Sequence, residues 1–249
     1  MKNKYSILLL AAALIYSCTP KVELPEIEKG NADFTKFVAV GDGYMSGYQD
    51  GALWKDGQSR SIPALIFSSL QQAESVSFNQ ALIADNSGIG TSSKPWEGIY
   101  VTASRLGYKT DCEGVSALSP LKNFHTGGSE TPYLNPITVS SLDDFSVPFA
   151  KISDLLSPSL ASSNVYYNRV AANFVGISPV AAAASRQHTF FAAWLGMEDI
   201  FSYARNGGFN TTINSSAAFE AGLDSVLQIM TANGAKGILA TIPDFRNFP

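Results

Sequence analysis

The stretch that most constrains this chain is Phe37-Val38-Ala39-Val40-Gly41-Asp42-Gly43-Tyr44-Met45-Ser46-Gly47. A short apolar run of strand type, Phe37 to Val40, meets a Gly-Asp-Gly turn, and a helical pattern follows from Gln58 to Ala73. In α/β layers, a strand that delivers a tight turn at its carboxyl end is where ligands and chemistry sit. A plain turn accounts for the same residues, because glycine tolerates positive φ and aspartate bonds its own backbone.

The rest of the chain supplies more strands and helices in alternation. Strand character begins at Phe34. Tyr48 to Gln58, with Gly51 and Gly57, reads as loop, and Ser61-Ile62-Pro63 starts a helix whose apolar face is Leu65, Ile66 and Leu70. Val76 to Phe78 reads as a second short strand. Asn79 to Phe145 has no clear period and is punctuated by glycine and proline, too long for an ordinary connection. It reads as a loop-rich insertion over one end of the sheet, or as a separate small domain.

Val147 to Leu156 reads as a short helix, Val165 to Val175 as strand or helix, and Pro179 to Arg186 as an alanine-rich helix. His188 to Leu195 is the near-continuous apolar run of a strand buried on both faces. It ends in Gly196-Met197-Glu198-Asp199, with a helix on to Arg205. Ser215 to Asn233 reads as a helix that Ser216 can cap, with Phe219, Leu223, Val226, Leu227 and Met230 on one face. Gly237 to Ile242 reads as another buried strand. The alternation predicts an α/β fold with a flavodoxin-like parallel sheet and helices on both faces.

An apolar share of 45% with 15% charged residues fits a packed globular body. The net charge of −4 supplies no basic footprint, which argues against a nucleic-acid partner. Nothing in the residues calls for a cofactor or a metal. Lys2 and Lys4 precede an apolar run, Ile7 to Tyr16, too short to span a bilayer stably. With Ile15-Tyr16-Ser17-Cys18 at its end, the segment looks like a bacterial lipoprotein signal. Residues 1–17 would be removed and Cys18 acylated, leaving residues 18–33 as a tether and 34–249 as the domain. Acyl chains contribute roughly 0.8 kcal/mol per buried methylene, so two or three anchor durably. The expected location is the bacterial cell envelope, at the outer membrane. Cys112 is then without an intramolecular partner, and reads as a buried or half-buried spectator.

Four stretches together resemble the SGNH (GDSL-type) hydrolase superfamily, in its lipid-anchored Bacteroidetes-type branch. They are Val38 to Gly47, Val147 to Leu155 (opening Val147-Pro148-Phe149-Ala150), Trp194-Leu195-Gly196-Met197-Glu198-Asp199, and Ala240-Thr241-Ile242-Pro243-Asp244. The resemblance implies ester or acetyl hydrolysis by a serine, a histidine base three residues after an aspartate, and an oxyanion hole.

The residues at those positions depart from the pattern. The nucleophile position is Gly43. The hole's glycine position is Phe149, and its asparagine position is Glu198, whose carboxylate only accepts hydrogen bonds. Losing one hole donor costs roughly 3 kcal/mol of barrier. No Asp-x-x-His occurs, and the chain stops at Pro249, just after the strand that would precede it. His188, at the start of its strand, lies roughly 26 Å from the strand tip at about 3.3 Å per residue. His125, in the insertion, has no visible acidic partner, and Ser46, three residues past the turn, should point its hydroxyl away from the strand tip. The retained motif residues Asp42, Gly196 and Asp199 suit turns and helix starts.

The expectation is therefore a C-terminally incomplete, degenerate member that lacks the family's last strand and helix. Its cleft would bind a carbohydrate or acyl ligand, with Trp96, Tyr100 and Tyr133 as stacking surfaces. Two alternatives stand beside it: an active esterase with a missing part or a different register, and a structural or partner-binding surface lipoprotein.

Overall fold

The computed structural model describes residues 29–90, 99–126, 141–171, 176–209 and 211–244. The expected signal segment, Cys18, most of the tether, Trp96 and Tyr133 lie outside the described residues, as do the side chains of Tyr100 and His125.

Strand β1 (Phe37–Gly41) leads into the short helix α1 (Gly43–Ser46), followed by α2 (Lys55–Ser59) and α3 (Ile62–Leu70). Four strands come next: β2 (Ile99–Val101), β3 (Arg105–Thr110), β4 (Ser116–Leu121) and β5 (Phe124–Thr126). Then follow β6 (Asp144–Ser146), α4 (Ile152–Leu155), a 3-10 turn at Leu160–Ser162, α5 (Val165–Ala171) and α6 (Pro179–Ser185). Strand β7 (Phe190–Trp194), α7 (Met197–Arg205), α8 (Ser216–Thr231) and β8 (Lys236–Ala240) complete the order.

Four strands form one all-parallel sheet in the order β6-β1-β7-β8. Successive side chains of a strand point to opposite faces, and β1 and β7 bury both. Val38, Val40, Phe191 and Ala193 pack on one face with Tyr167, Val180, Ala183, Val226 and Met230 from α5, α6 and α8. Phe37, Ala39, Phe190 and Ala192 pack on the other with Met45 of α1 and Ile62 and Ile66 of α3. The chain is thus an α/β protein with helices on both faces of a parallel sheet, and its strand order is compatible with a flavodoxin-like fold. The next strand of this sheet in chain order, β6, lies on one side of β1, and the one after it, β7, lies on the other. That reversal opens a crevice beyond the carboxyl ends of β1 and β7.

Several details differ from the sequence reading. The helical pattern expected from Gln58 breaks in two, because Ser61 caps α3 by accepting from the Ala64 N–H, while Lys55 to Ser59 forms a separate turn of helix. Val76 to Phe78 makes only a single bridge, Lys36 to Ser77, rather than a strand. Phe145 belongs to β6 and the sheet. The stretch read as aperiodic holds two antiparallel ribbons, β2–β5 and β3–β4. It leaves and rejoins the sheet at a clasp: Asn79 N–H and Nδ2 donate to Asp143 Oδ2 at 2.9 and 3.0 Å, and Asp143 N–H donates to Asn79 O at 2.9 Å.

Ser215, not Ser216, caps α8. Strand β8 was expected to be buried; as the sheet's edge it leaves Ile238 45% and Leu239 40% exposed. Cys112, expected to be at least half-buried, is exposed beside the β3–β4 turn. That turn is held by Asp111, whose carboxylate accepts from the N–H groups of Glu113 and Val115.

Gly41 ends β1 where no side chain fits. A Cβ there would run into the Met45 side chain and sit 2.8 Å from the Trp194 carbonyl oxygen, which is backbone and cannot swing aside. Overpacking of this kind costs about 1–3 kcal/mol. Gly41→Ala should therefore lower the urea midpoint by a corresponding amount, whereas equal midpoints would show that the β1–β7 strand ends can separate freely.

Candidate functional site

The crevice at the switch point is built from three strand ends. After β1, Asp42 caps α1: its Oδ1 accepts from the Tyr44 N–H at 3.0 Å. Its Oδ2 accepts from the Glu198 N–H at 3.1 Å, in the first turn of α7. One buried carboxylate thus terminates the orphan N–H groups of two helices. Asp199 extends the chain of caps. Its Oδ2 accepts from the Ile152 N–H at the start of α4, and its Oδ1 from Asn214 Nδ2 at 2.6 Å, just ahead of α8. Both aspartates do what the sequence reading expected of helix-start residues.

Gly196 makes the turn from β7 into α7 at φ +94°, with Phe219 and Ile242 so close that a Cβ would meet them at 2.6 Å. After β6, Phe149 stands at φ +65°. A bulky residue in the left-handed region is an outlier that its surroundings must enforce. Asn164 Nδ2 holds the preceding carbonyl, Pro148 O, at 2.8 Å. The Phe149 ring lies edge-on to Tyr48 at 4.9 Å and 6.0 Å from Tyr166.

These strand ends enclose a cavity of about 190 Å³ lined by Gly43, Tyr44, Tyr48, Phe149, Glu198, Phe201 and Arg205. The positions singled out in the sequence, Gly43, Phe149 and Glu198, therefore meet around one space. Glu198 is not an isolated charge there: Arg205 Nη2 pairs with its Oε1 at 2.7 Å. The same guanidinium lies over the rings of Phe149 at 5.2 Å and Phe201 at 5.4 Å, within cation–π reach.

No known family model, curated protein or solved structure matches the chain.

Two other candidates, Ser46 and His188, fall outside the cavity. Ser46 is buried and donates its hydroxyl to Gly43 O at 3.0 Å. His188 sits just ahead of β7, at the opposite end from Trp194. It is buried, its Nε2 lies 2.8 Å from Met230 O, and burial lowers its pKa. Among the described residues no cluster of His, Cys, Asp and Glu could hold a metal ion, and no helix is long and apolar enough to cross a membrane.

Sequence reasoning missed four wall residues: Tyr44, Tyr48, Phe201 and Arg205. The signal was present but unspecific. Tyr44 and Tyr48 follow the Gly-Asp-Gly turn at a spacing of four, and Arg205 follows Glu198 by seven, two turns along one helix face.

Burial raises the Asp42 carboxyl from its ordinary 3.8 to about 6, against the pull of its two N–H donors and helped by the nearby charges of Glu198 and Asp199. The folded state thus holds this proton more tightly than the unfolded chain. Its contribution to stability is full below pH 3.8 and is lost as pH rises through about 6. His188, with its lowered pKa, acts in the opposite sense below its ordinary 6.5. The Asp42 contribution is therefore read as a difference: Asp42→Asn should be more destabilising relative to wild type at pH 5 than at pH 7, by roughly 1 kcal/mol. Urea unfolding at the two pH values measures this. A penalty larger at pH 7 would mean that Asp42 is held as a stabilised anion.

Proposed function

We propose that this chain is a lipid-anchored protein of the bacterial cell envelope, built on an SGNH-type ester-hydrolase scaffold, that binds a ligand in the old catalytic cleft and does not hydrolyse it. The observation that carries this reading is the lining of the cavity at the β1 and β7 tips. Gly43, Phe149 and Glu198, which the resemblance puts at the positions of the nucleophile and of two oxyanion-hole donors, line it together, and among the described residues neither a serine nor a histidine does. Acyl transfer needs a nucleophile within hydrogen-bond reach of its base. Ser46 and His188 are each committed to a backbone carbonyl, Gly43 O and Met230 O.

The same lining suits recognition. Tyr44, Tyr48, Phe149 and Phe201 present ring faces and edges to a small space, as ligand pockets commonly do. A carbohydrate or a short acyl group would both fit apolar walls. The Glu198–Arg205 pair favours the carbohydrate, because sugar hydroxyls donate to a carboxylate and accept from a guanidinium, while the C–H face of the ring stacks on the aromatics. Phe149 narrows the space where an acyl group would have to lie.

Gly43 offers a direct test. A Cβ there meets only ordinary contacts, Tyr48 Cβ at 3.6 Å and Pro148 Cα at 3.9 Å, so Gly43→Ser should fold. Both wild type and Gly43→Ser should leave p-nitrophenyl acetate at the buffer rate. In titrations against a panel of mono- and oligosaccharides and short fatty acids, the wild type should bind a sugar, and Tyr48→Ala should weaken that binding at least tenfold. Turnover by the wild type that disappears in Ser46→Ala would overturn the reading.

A further inference from the structure

Behind the cleft wall lies a second, smaller and partly open cavity of about 30 Å³, lined in part by Ser46, Asp144, Ser146, Pro148 and Arg169. Its polar groups present an unfinished account. Arg169, on α5, is only 3% exposed. Its Nη2 donates to the carbonyls of Ala81 and Leu82, at 2.7 Å to the latter, while its Nε is buried with no partner. Ser146 Oγ is likewise buried and meets no partner in good hydrogen-bond geometry, although it lies near enough to the Asp144 carboxylate to hold that group's pKa down somewhat.

Asp144, at the start of β6, accepts from Gln80 Nε2 at 2.9 Å and from the Ser146 N–H at 3.0 Å, which leaves acceptor capacity on both oxygens. No ion pair within 4.0 Å joins Asp144 to Arg169. A buried guanidinium without a carboxylate contact, and a buried N–H without an acceptor, each carry a large desolvation cost.

We propose that this cavity is a binding site for one internal water, which accepts from Arg169 Nε, donates to the Asp144 carboxylate, and completes the Ser146 hydroxyl. The size matches: a cavity needs roughly 10–15 Å³ of probe-occupied space to hold a water, and buried waters make about three hydrogen bonds. Polar groups of opposite charge on one small cavity, separated by more than direct contact, are the setting in which water bridges. A monatomic anion would satisfy the arginine but face the Asp144 carboxylate. That group, raised by burial to about 6, is still mostly ionised at neutral pH.

The bridged pair ties β6 to α5 directly behind Pro148, and so backs the segment that holds Phe149 in its left-handed conformation. This role is independent of what the cleft binds.

A high-resolution crystal structure of the full chain, with a parallel crystal soaked in bromide, tests the site. The expected result is one ordered water within about 3.2 Å of Arg169 Nε, and no anomalous bromide peak. A bromide peak in the cavity, featureless density, or a direct Arg169–Asp144 contact would each overturn the proposal. In solution, Asp144→Asn and Arg169→Gln should together lower Tm by less than the sum of their separate losses, since either one breaks the same bridge. Strict additivity would count against it, and the crystal measurement stands if a variant fails to fold.

Discussion

The arrangement turns on one carboxylate. Asp42 is buried between the ends of β1 and β7 and accepts from the N–H groups of Tyr44 and Glu198. Each bond satisfies a helix start that would otherwise leave backbone donors unpaired away from water. Because the two helices follow adjacent parallel strands, a single residue fixes both at the same height above the sheet. Asp199 repeats the device one residue further on, clamping α4 and the approach to α8. The crevice keeps its shape because its corners are pinned mainly by hydrogen bonds to backbone, from Tyr44, Glu198 and Ile152, with the Asn214 side chain as the exception.

That pinning explains how the cleft tolerates the residues it contains. A carboxylate such as Glu198 at a cleft wall would be an electrostatic defect if it stood alone. Arg205, two turns along the same helix, neutralises it and places its planar face against two phenyl rings. Arginine suits this position better than lysine, since only a delocalised planar cation can stack and pair at once. The charge on Glu198 is thereby converted from a liability for the fold into part of a wall.

The central sheet was largely legible in the sequence. Phe37 to Val40 and His188 to Leu195 are apolar on both faces because both faces are covered, and buried parallel strands read as continuous hydrophobic runs. Edge strand β8 read the same way, yet Ile238 and Leu239 are exposed; composition reports strand character, not which neighbours a strand has. The ribbons β2–β5 and β3–β4 were illegible, since their pairing is with each other and not with the core, so no period-two apolar face is selected. The bond from Asp42 to the Tyr44 N–H was legible because it is local, two residues along the chain, whereas the bonds of Asp42 to Glu198 and of Asp199 to Ile152 join segments far apart in sequence. Tyr48 and Arg205 were not legible, because a cavity wall is defined by the meeting of distant segments.

Phe149 shows how the chain holds an unfavourable conformation from outside. A left-handed conformation in a residue with a Cβ costs roughly 1–2 kcal/mol, and phenylalanine has no side-chain hydrogen bond to offset it. The conformation is set from outside: Asn164 holds Pro148 O, Tyr48 and Tyr166 confine the ring, and the Val147 N–H donates to Gly41 O at 2.8 Å. Replacing the residue at this position changes what projects into the cleft and removes the ring contacts, while the hydrogen bonds to Pro148 O and from the Val147 N–H do not involve its side chain. The scaffold therefore separates two properties that are often coupled. Backbone geometry at the strand tips is fixed largely by caps and clamps, and the character of the cleft is set by the side chains that line it.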